Sequence, residues 1–167
     1  MEREIKFRGK TSKSKWLYGD LIHNRGDVFI APAGIANPLA KAEDFMVDEN
    51  TIGQFTGLKD KNGVEIYEGD IIKYYTLKVN EKWDSDGYDI DREKYIEKVY
   101  FDDGCFKTEK NLSGLHGLSK DFVENVIRIN NAGATSCEDM YGERIDENII
   151  GVEVIGNIYD NPELLNK

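Results

Sequence analysis

TIGQFTGLKDKNGVEIYEGDIIK, residues 51–73, carries the strongest fold signal in the chain. Thr51-Ile52-Gly53-Gln54-Phe55 has the composition of a short strand. Asp60-Lys61-Asn62-Gly63 follows as a turn, because Asn-Gly tolerates left-handed geometry and the Asp60 carboxylate can bond back to the turn amides. Val64-Glu65-Ile66-Tyr67 alternates apolar with polar, Glu68-Gly69-Asp70 turns again, and Ile71-Ile72-Lys73-Tyr74-Tyr75 begins a longer strand. Strand, turn, strand, tight turn, strand is how small β-barrels of the SH3-like kind are wound. In this reading Gly53, Gly57, Gly63 and Gly69 supply backbone freedom at turns or bulges, and Ile66, Ile71 and Ile72 supply core. Every residue of the stretch is then used by architecture, and none needs a ligand.

Outward from this centre the dominant period stays near two. Trp16–Ile22 and Asp27–Ile30 form a hairpin over Asn24-Arg25-Gly26. Pro32–Pro38 is a loop of small residues, and Leu39–Phe45 predicts a short helix. Tyr74–Val79 and Tyr95–Phe101 predict two strands joined through the charged stretch Asn80–Lys94, a long hairpin with a solvated tip. Asp102-Asp103-Gly104 turns into Cys105–Thr108. Ser119 caps a helix running to Ile127, Ile129–Glu138 has loop composition, Asn148–Tyr159 is β-rich, and Pro162–Leu165 closes with a helical turn. Two echoes occur: Asp48–Gly53 against Asp146–Gly151, and Ile52-Gly53-Gln54-Phe55 against Ile155-Gly156-Asn157-Ile158. A common local solution and a duplication both account for them, and no fixed period marks a solenoid.

The chain has 167 residues, the length of one domain, and 32% of them are charged. Its net charge of −10 argues against a general affinity for nucleic acid or an anionic membrane, because that affinity comes from Lys and Arg displacing counterions. An acidic surface suits solubility, a basic partner protein, or imitation of a phosphate backbone. Two isolated cysteines, Cys105 and Cys137, and two histidines, His23 and His116, assemble no zinc pattern and fit a reducing cytoplasm. No apolar run reaches the roughly 20 residues that span a bilayer, and the N-terminal MEREIKFRGK has no apolar signal-peptide core.

The chemical candidates are weak. Asp84-Ser85-Asp86-Gly87-Tyr88-Asp89-Ile90-Asp91 invites a calcium loop, but Tyr88 falls where an EF-hand needs a ligand. Cys105 with His116 or His23 lacks any flanking signature of an activated nucleophile, so Cys105 and Cys137 read as structural. Asp102 and Asp103 read as turn residues, and no phosphate-cradling glycine loop is present. Lys59, Lys61 and Lys73 interleave with Phe55, Tyr67, Tyr74 and Tyr75 as in a single-strand nucleic-acid clamp. Asp60, Glu65, Glu68 and Asp70 sit among the same lysines and oppose their field.

Three segments together, REIKFRGK (Arg3–Lys10), the central stretch Thr51–Lys73, and VIGNIYDNPELL (Val154–Leu165), resemble the YopX family. Its members are small proteins encoded by bacteriophages and prophages. Asn80–Lys94 and Leu112–Cys137 match no motif and read as variable insertions. The resemblance implies a β-rich, barrel-containing fold over 1–167 and a cytoplasmic role, and it brings no catalytic residue. The expectation is therefore a mainly β protein with a small SH3-like or related barrel, short helices and long surface loops. Its expected function is that of a phage accessory protein, a non-enzymatic protein-binding or structural module. The alternatives are a nucleic-acid-binding barrel module and a metal-dependent nuclease. No catalytic, cofactor-binding or metal-binding residue and no cofactor is assigned. A protein partner and a homo-oligomer that covers open strand edges are expected, and no membrane partner.

Overall fold

The computed structural model describes residues 4–35, 37–80, 89–109 and 152–166. Arg25 (φ 54°) and Gly26 (φ 94°) both take left-handed geometry, the requirement of a twist-matched two-residue turn. They join β2 (Trp16–Asn24) to β3 (Asp27–Ala31), so the expected hairpin is present. On the other side β2 pairs with β1 (Phe7–Lys10), and β1 pairs in turn with β4 (Asp48–Lys59). The short β5 (Glu65–Tyr67) completes a five-stranded sheet in the order β3-β2-β1-β4-β5. Between β3 and β4 the chain makes a 3-10 turn, Pro38–Lys41, and the four-residue α1 (Ala42–Phe45). Met46 then forms a bridge with Phe29 at the edge of β3.

A second sheet contains β6 (Asp70–Asn80), β7 (Asp89–Lys98) and, near the C-terminus, β10 (Glu153–Asn157), in the order β10-β6-β7. β8 (Tyr100–Asp102) and β9 (Cys105–Lys107) form a separate hairpin over Asp103 (φ 48°) and Gly104 (φ 79°), at the turn expected from Asp-Asp-Gly. Every pairing among the described residues is antiparallel. Pro162–Asn166 forms the expected closing turn. The protein is mainly β, and among the described residues its three sheets do not close into a barrel.

The hairpin expected across Asn80–Lys94 has longer strands than its composition suggests. β6 and β7 pair from Ile71↔Lys98 out to Asn80↔Asp89, so Asp89–Lys94 is strand and not tip. Cross-strand amide bonds are indifferent to side-chain charge, so a charge-rich run can still pair as strand. The helix expected at Ser119–Ile127, the loop at Ile129–Glu138, the segment Leu112–Cys137 and the echo at Asp146–Gly151 lie outside the described residues. In the second echo Gly53 and Gly156 do different work. A Cβ on Gly53 would collide with the Glu68 carbonyl, and one on Gly156 would meet the Asn161 side chain.

Among the described residues two apolar clusters form the core. Leu17, Val28, Ile30 and Val47 pack within the five-stranded sheet and its loop. Ile72, Tyr74, Tyr95, Val99, Phe106 and Val152 pack around Ile66, which reaches them from β5. Ile66, Ile71 and Ile72 are all fully buried, as expected. The Tyr74 and Tyr95 rings stack at 5.3 Å, and the Tyr74 hydroxyl donates to Glu97 at 2.8 Å.

Candidate functional site

The tight turn Tyr67-Glu68-Gly69-Asp70 is where the chain leaves the first sheet and begins the second. Gly69 (φ 81°) allows the reversal. Its amide donates to the Val99 carbonyl (2.8 Å), its carbonyl accepts from the Ile158 amide (2.9 Å), and the Val99 amide donates to the Asp70 carbonyl (2.8 Å). The Glu68 amide donates to Gln54 (3.0 Å) on the other side. Asp70 uses both carboxylate oxygens: one accepts from the Tyr67 amide (2.7 Å) and the other from Arg8 Nη1 (2.5 Å). Arg8 Nη2 donates to the Glu68 carbonyl at 3.0 Å. The guanidinium lies between the Trp16 and Tyr67 rings, 4.9 and 5.1 Å from their centroids. Arg8 and Asp70 are both buried. Burial pushes the Asp70 carboxyl up, and Arg8 and the Tyr67 amide oppose that shift. The turn inside the opening stretch is thus a joint between two sheets.

Beside the joint lies a cleft of about 570 Å³ between the β5 edge of one sheet and the β10 edge of the other. Arg8, Asp70 and Tyr67 line it, with Lys6 and Glu65. Its walls are completed by Tyr18 and Val64 on one side and by Val154, Gly156 and Asn157 on the other. Lys6 Nζ donates to both Glu65 oxygens (2.9 and 2.7 Å), and the Tyr67 hydroxyl donates to Glu65 Oε2 (2.7 Å). Burial works to raise the Glu65 carboxyl, but the Lys6 and Tyr67 bonds outweigh it and hold the group low. Burial and then Glu65 drive the Tyr67 phenol far up. Asn157 is occupied too, its Oδ1 accepting from the Tyr159 (3.0 Å) and Asp160 (2.9 Å) amides.

The cleft is held in shape at both ends. Asp60 behaves as the sequence suggested: Oδ1 accepts from the Asn62 (2.8 Å) and Val64 (2.9 Å) amides. Its Oδ2 also reaches the Val154 amide of β10 at 3.0 Å, and the Lys61 amide donates to the Val152 carbonyl at 3.0 Å. Asp160 closes the other side, accepting from Lys10 Nζ, Asn157 Nδ2 (3.0 Å) and Trp16 Nε1 (2.7 Å). These donors hold its carboxyl at about 2, below the ordinary 3.8. A carboxylate depressed on folding stabilises the protein above its unfolded pKa and loses that contribution as pH falls toward the folded value. Thermal melts between about pH 5 and pH 2 should therefore fall more steeply for wild type than for Asp160→Asn. The difference should be small, because the carboxylate is partly exposed.

The residues singled out from the sequence do not converge on one face. Phe55, Tyr67 and Tyr74 are buried and Tyr75 is half-buried, so these rings serve mostly as core and not as a nucleic-acid clamp. Lys61 and Lys73 both pair with Glu153, at 3.3 and 2.8 Å, and Lys59 stands opposite Glu65 on the neighbouring strand. The Lys73 bond holds the Glu153 carboxyl low, against partial burial and with help from Lys61. Asp102 and Asp103 both pair with Lys107, at 2.9 and 3.2 Å. Cys105 is a half-buried free thiol whose Sγ lies 3.5 Å from the Asp102 carbonyl, and His23 is exposed on β2. His116, Cys137 and residues 84–88 of the Asp-rich tract lie outside the described residues. Among the described residues no three His, Cys, Asp or Glu side chains are grouped as a metal site, and no helix is long and apolar enough to cross a membrane.

Sequence reasoning missed Arg8, Trp16, Tyr18 and Asn157 as one cluster. The one available signal was a cation in the short strand Phe7–Lys10, where a core side chain would be ordinary. Nothing in spacing links it to an aspartate 62 residues away.

A family model for the YopX protein matches residues 6–166, nearly the whole chain. The chain belongs to the YopX family. No curated protein matches this YopX chain. Among solved structures it is similar to protein EF1440 from Enterococcus faecalis, at 24% identity with a TM-score of 0.46, over 98% of this chain and 99% of that one.

Proposed function

We propose that this YopX protein is a phage- or prophage-encoded accessory protein that acts without catalysis, by binding another protein through the cleft between β5 and β10. The observation that carries this reading is the internal pairing of the cleft's charges. Lys6 is spent on Glu65 and Arg8 on Asp70, which leaves the exposed faces of Tyr18 and Val64 to an incoming partner. Glu65 held low and Tyr67 held high are poorly matched to proton transfer near neutral pH, and Asp70, which burial raises, has both oxygens engaged by Arg8 and the Tyr67 amide. Tyr18, the exposed ring of the cleft, is of a residue type that often carries binding energy at protein interfaces. The cytoplasm as its place, an SH3-like closure of the sheets and a homo-oligomer that covers the outer strand edges belong to the same proposal. They are supported by the two isolated cysteines, the turn pattern and the open edges respectively.

The test is capture from a bacterial host lysate on immobilised wild-type and Val64→Glu protein, with and without nuclease, read by mass spectrometry. Val64 is 48% exposed, so a charge there should spare the fold. A protein retained by wild type in both samples and lost on Val64→Glu is the expected result. Capture that vanishes with nuclease would replace this reading with a nucleic-acid-binding one. Equal retention by the two proteins would remove the cleft from it.

A further inference from the structure

We propose that the occupant of the cleft is a basic segment of a partner protein that seats one aromatic side chain against Tyr18. This rests on the cleft being a protein-binding surface, and it specifies what that surface receives. At about 570 Å³ the cleft falls within the roughly 300–1,000 Å³ of ordinary binding pockets. It is tied at one end by Lys61 to Val152 and Asp60 to Val154, and at the other by Ile158 to Gly69. A gap between two strand edges that is closed at both ends admits a side chain and leaves no path for an added strand.

The chemistry selects the side chain. A charged anchor would compete with the Lys6–Glu65 and Arg8–Asp70 pairs, whereas an uncharged ring gives up only its water. Tyr18, 44% exposed, meets Tyr67 edge-on at 5.5 Å, and Tyr67 meets Phe55 at 5.5 Å. A further ring against Tyr18 would extend this row of aromatic contacts. Val64 and Val154 supply aliphatic walls.

Charge selects the flanks. A chain of net charge −10 attracts a basic segment at long range and repels a phosphate backbone. Near the cleft, Asp20 stands two residues along β2 from Tyr18, where strand alternation returns to the same side. It is exposed and makes no salt bridge among the described residues. On the β5 side Lys59 already acts on Glu65, so the flanking cation belongs beside Asp20.

The probes are three labelled peptides, Lys-Lys-Phe-Lys-Lys, Lys-Lys-Ser-Lys-Lys and Glu-Glu-Phe-Glu-Glu, titrated with the full chain at low salt and followed by fluorescence anisotropy. The basic Phe peptide should bind saturably and about tenfold tighter than the Ser peptide, the effect of about 1.4 kcal/mol from one anchored side chain. That margin should vanish in Tyr18→Ala and survive in Tyr18→Phe, whereas Asp20→Asn should weaken both basic peptides alike. Circular dichroism would confirm that each variant is folded. Equal binding of the Phe and Ser peptides, preference for the acidic peptide, or a margin untouched by Tyr18→Ala would overturn the proposal. So would a dimer in sedimentation that Tyr18→Ala abolishes, since the occupant would then be a second copy. If the peptides fail while lysate capture still depends on Val64, the cleft binds protein and only the basic aromatic anchor is wrong.

Discussion

Asp70→Ala is expected to lower stability by about 3–5 kcal/mol, the usual consequence of stripping one partner from a buried ion pair. Arg8 would keep its bond to the Glu68 carbonyl and its contacts with Trp16 and Tyr67, but its charge would stay buried with no counter-ion. The Tyr67 amide would lose its acceptor as well. Against a total of ~5–15 kcal/mol for an ordinary domain, this is a large share. Urea unfolding of the two proteins measures it. The double variant Arg8→Met with Asp70→Leu should recover most of the loss, because a buried pair replaced by apolar side chains of similar size is often neutral. A loss within about 1 kcal/mol for Asp70→Ala would mean that the backbone bonds of the joint hold without the ion pair.

Ile66→Ala is expected to cost about 2–5 kcal/mol, the range for truncating a fully buried aliphatic side chain. Ile66 is carried by the five-stranded sheet, yet Ile72, Tyr74 and Tyr95 around it belong to the three-stranded one. The cavity would therefore open between sheets, where relaxation requires one to move against the other. Denaturant melts followed separately by tyrosine fluorescence and by far-UV circular dichroism should show one shifted transition. A loss below about 1 kcal/mol would mean that the sheets close over the gap.

What was legible in the sequence was local. The turns at Asn24–Gly26, Asp60–Gly63, Glu68–Asp70 and Asp102–Gly104 all occur where their residues demand left-handed or tight geometry. Ile66, Ile71 and Ile72 of the central stretch are core because their spacing fits a buried strand. Sheet membership was not legible. β1 sits between β2 and β4, and β10 joins β6 across more than seventy residues, because register over such distances is set by packing and leaves no mark in spacing. For the same reason one turn pattern fits a barrel and these open sheets equally well. The cleft was invisible in the sequence: its charged residues come from β1 and the residue before it, β5 and the start of β6, and their pairing exists only after folding. Asp60 was half read, since its turn bonds follow from Asp-x-Asn-Gly while its bond to Val154 depends on a strand 94 residues away.

That last bond bears on when the molecule can become itself during synthesis. The contacts of Asp60 with Val154 and of Lys10 with Asp160 span 94 and 150 residues. A ribosome that has translated as far as β9 has made every strand of the five-stranded sheet, but β6 still lacks its β10 neighbour. The nascent chain then carries an exposed, isoleucine-rich strand edge, a surface that invites pairing with other chains. Completion waits on the last strand, and chains cut short before Val152 would meet the proteases and chaperones of the cell with that edge still open.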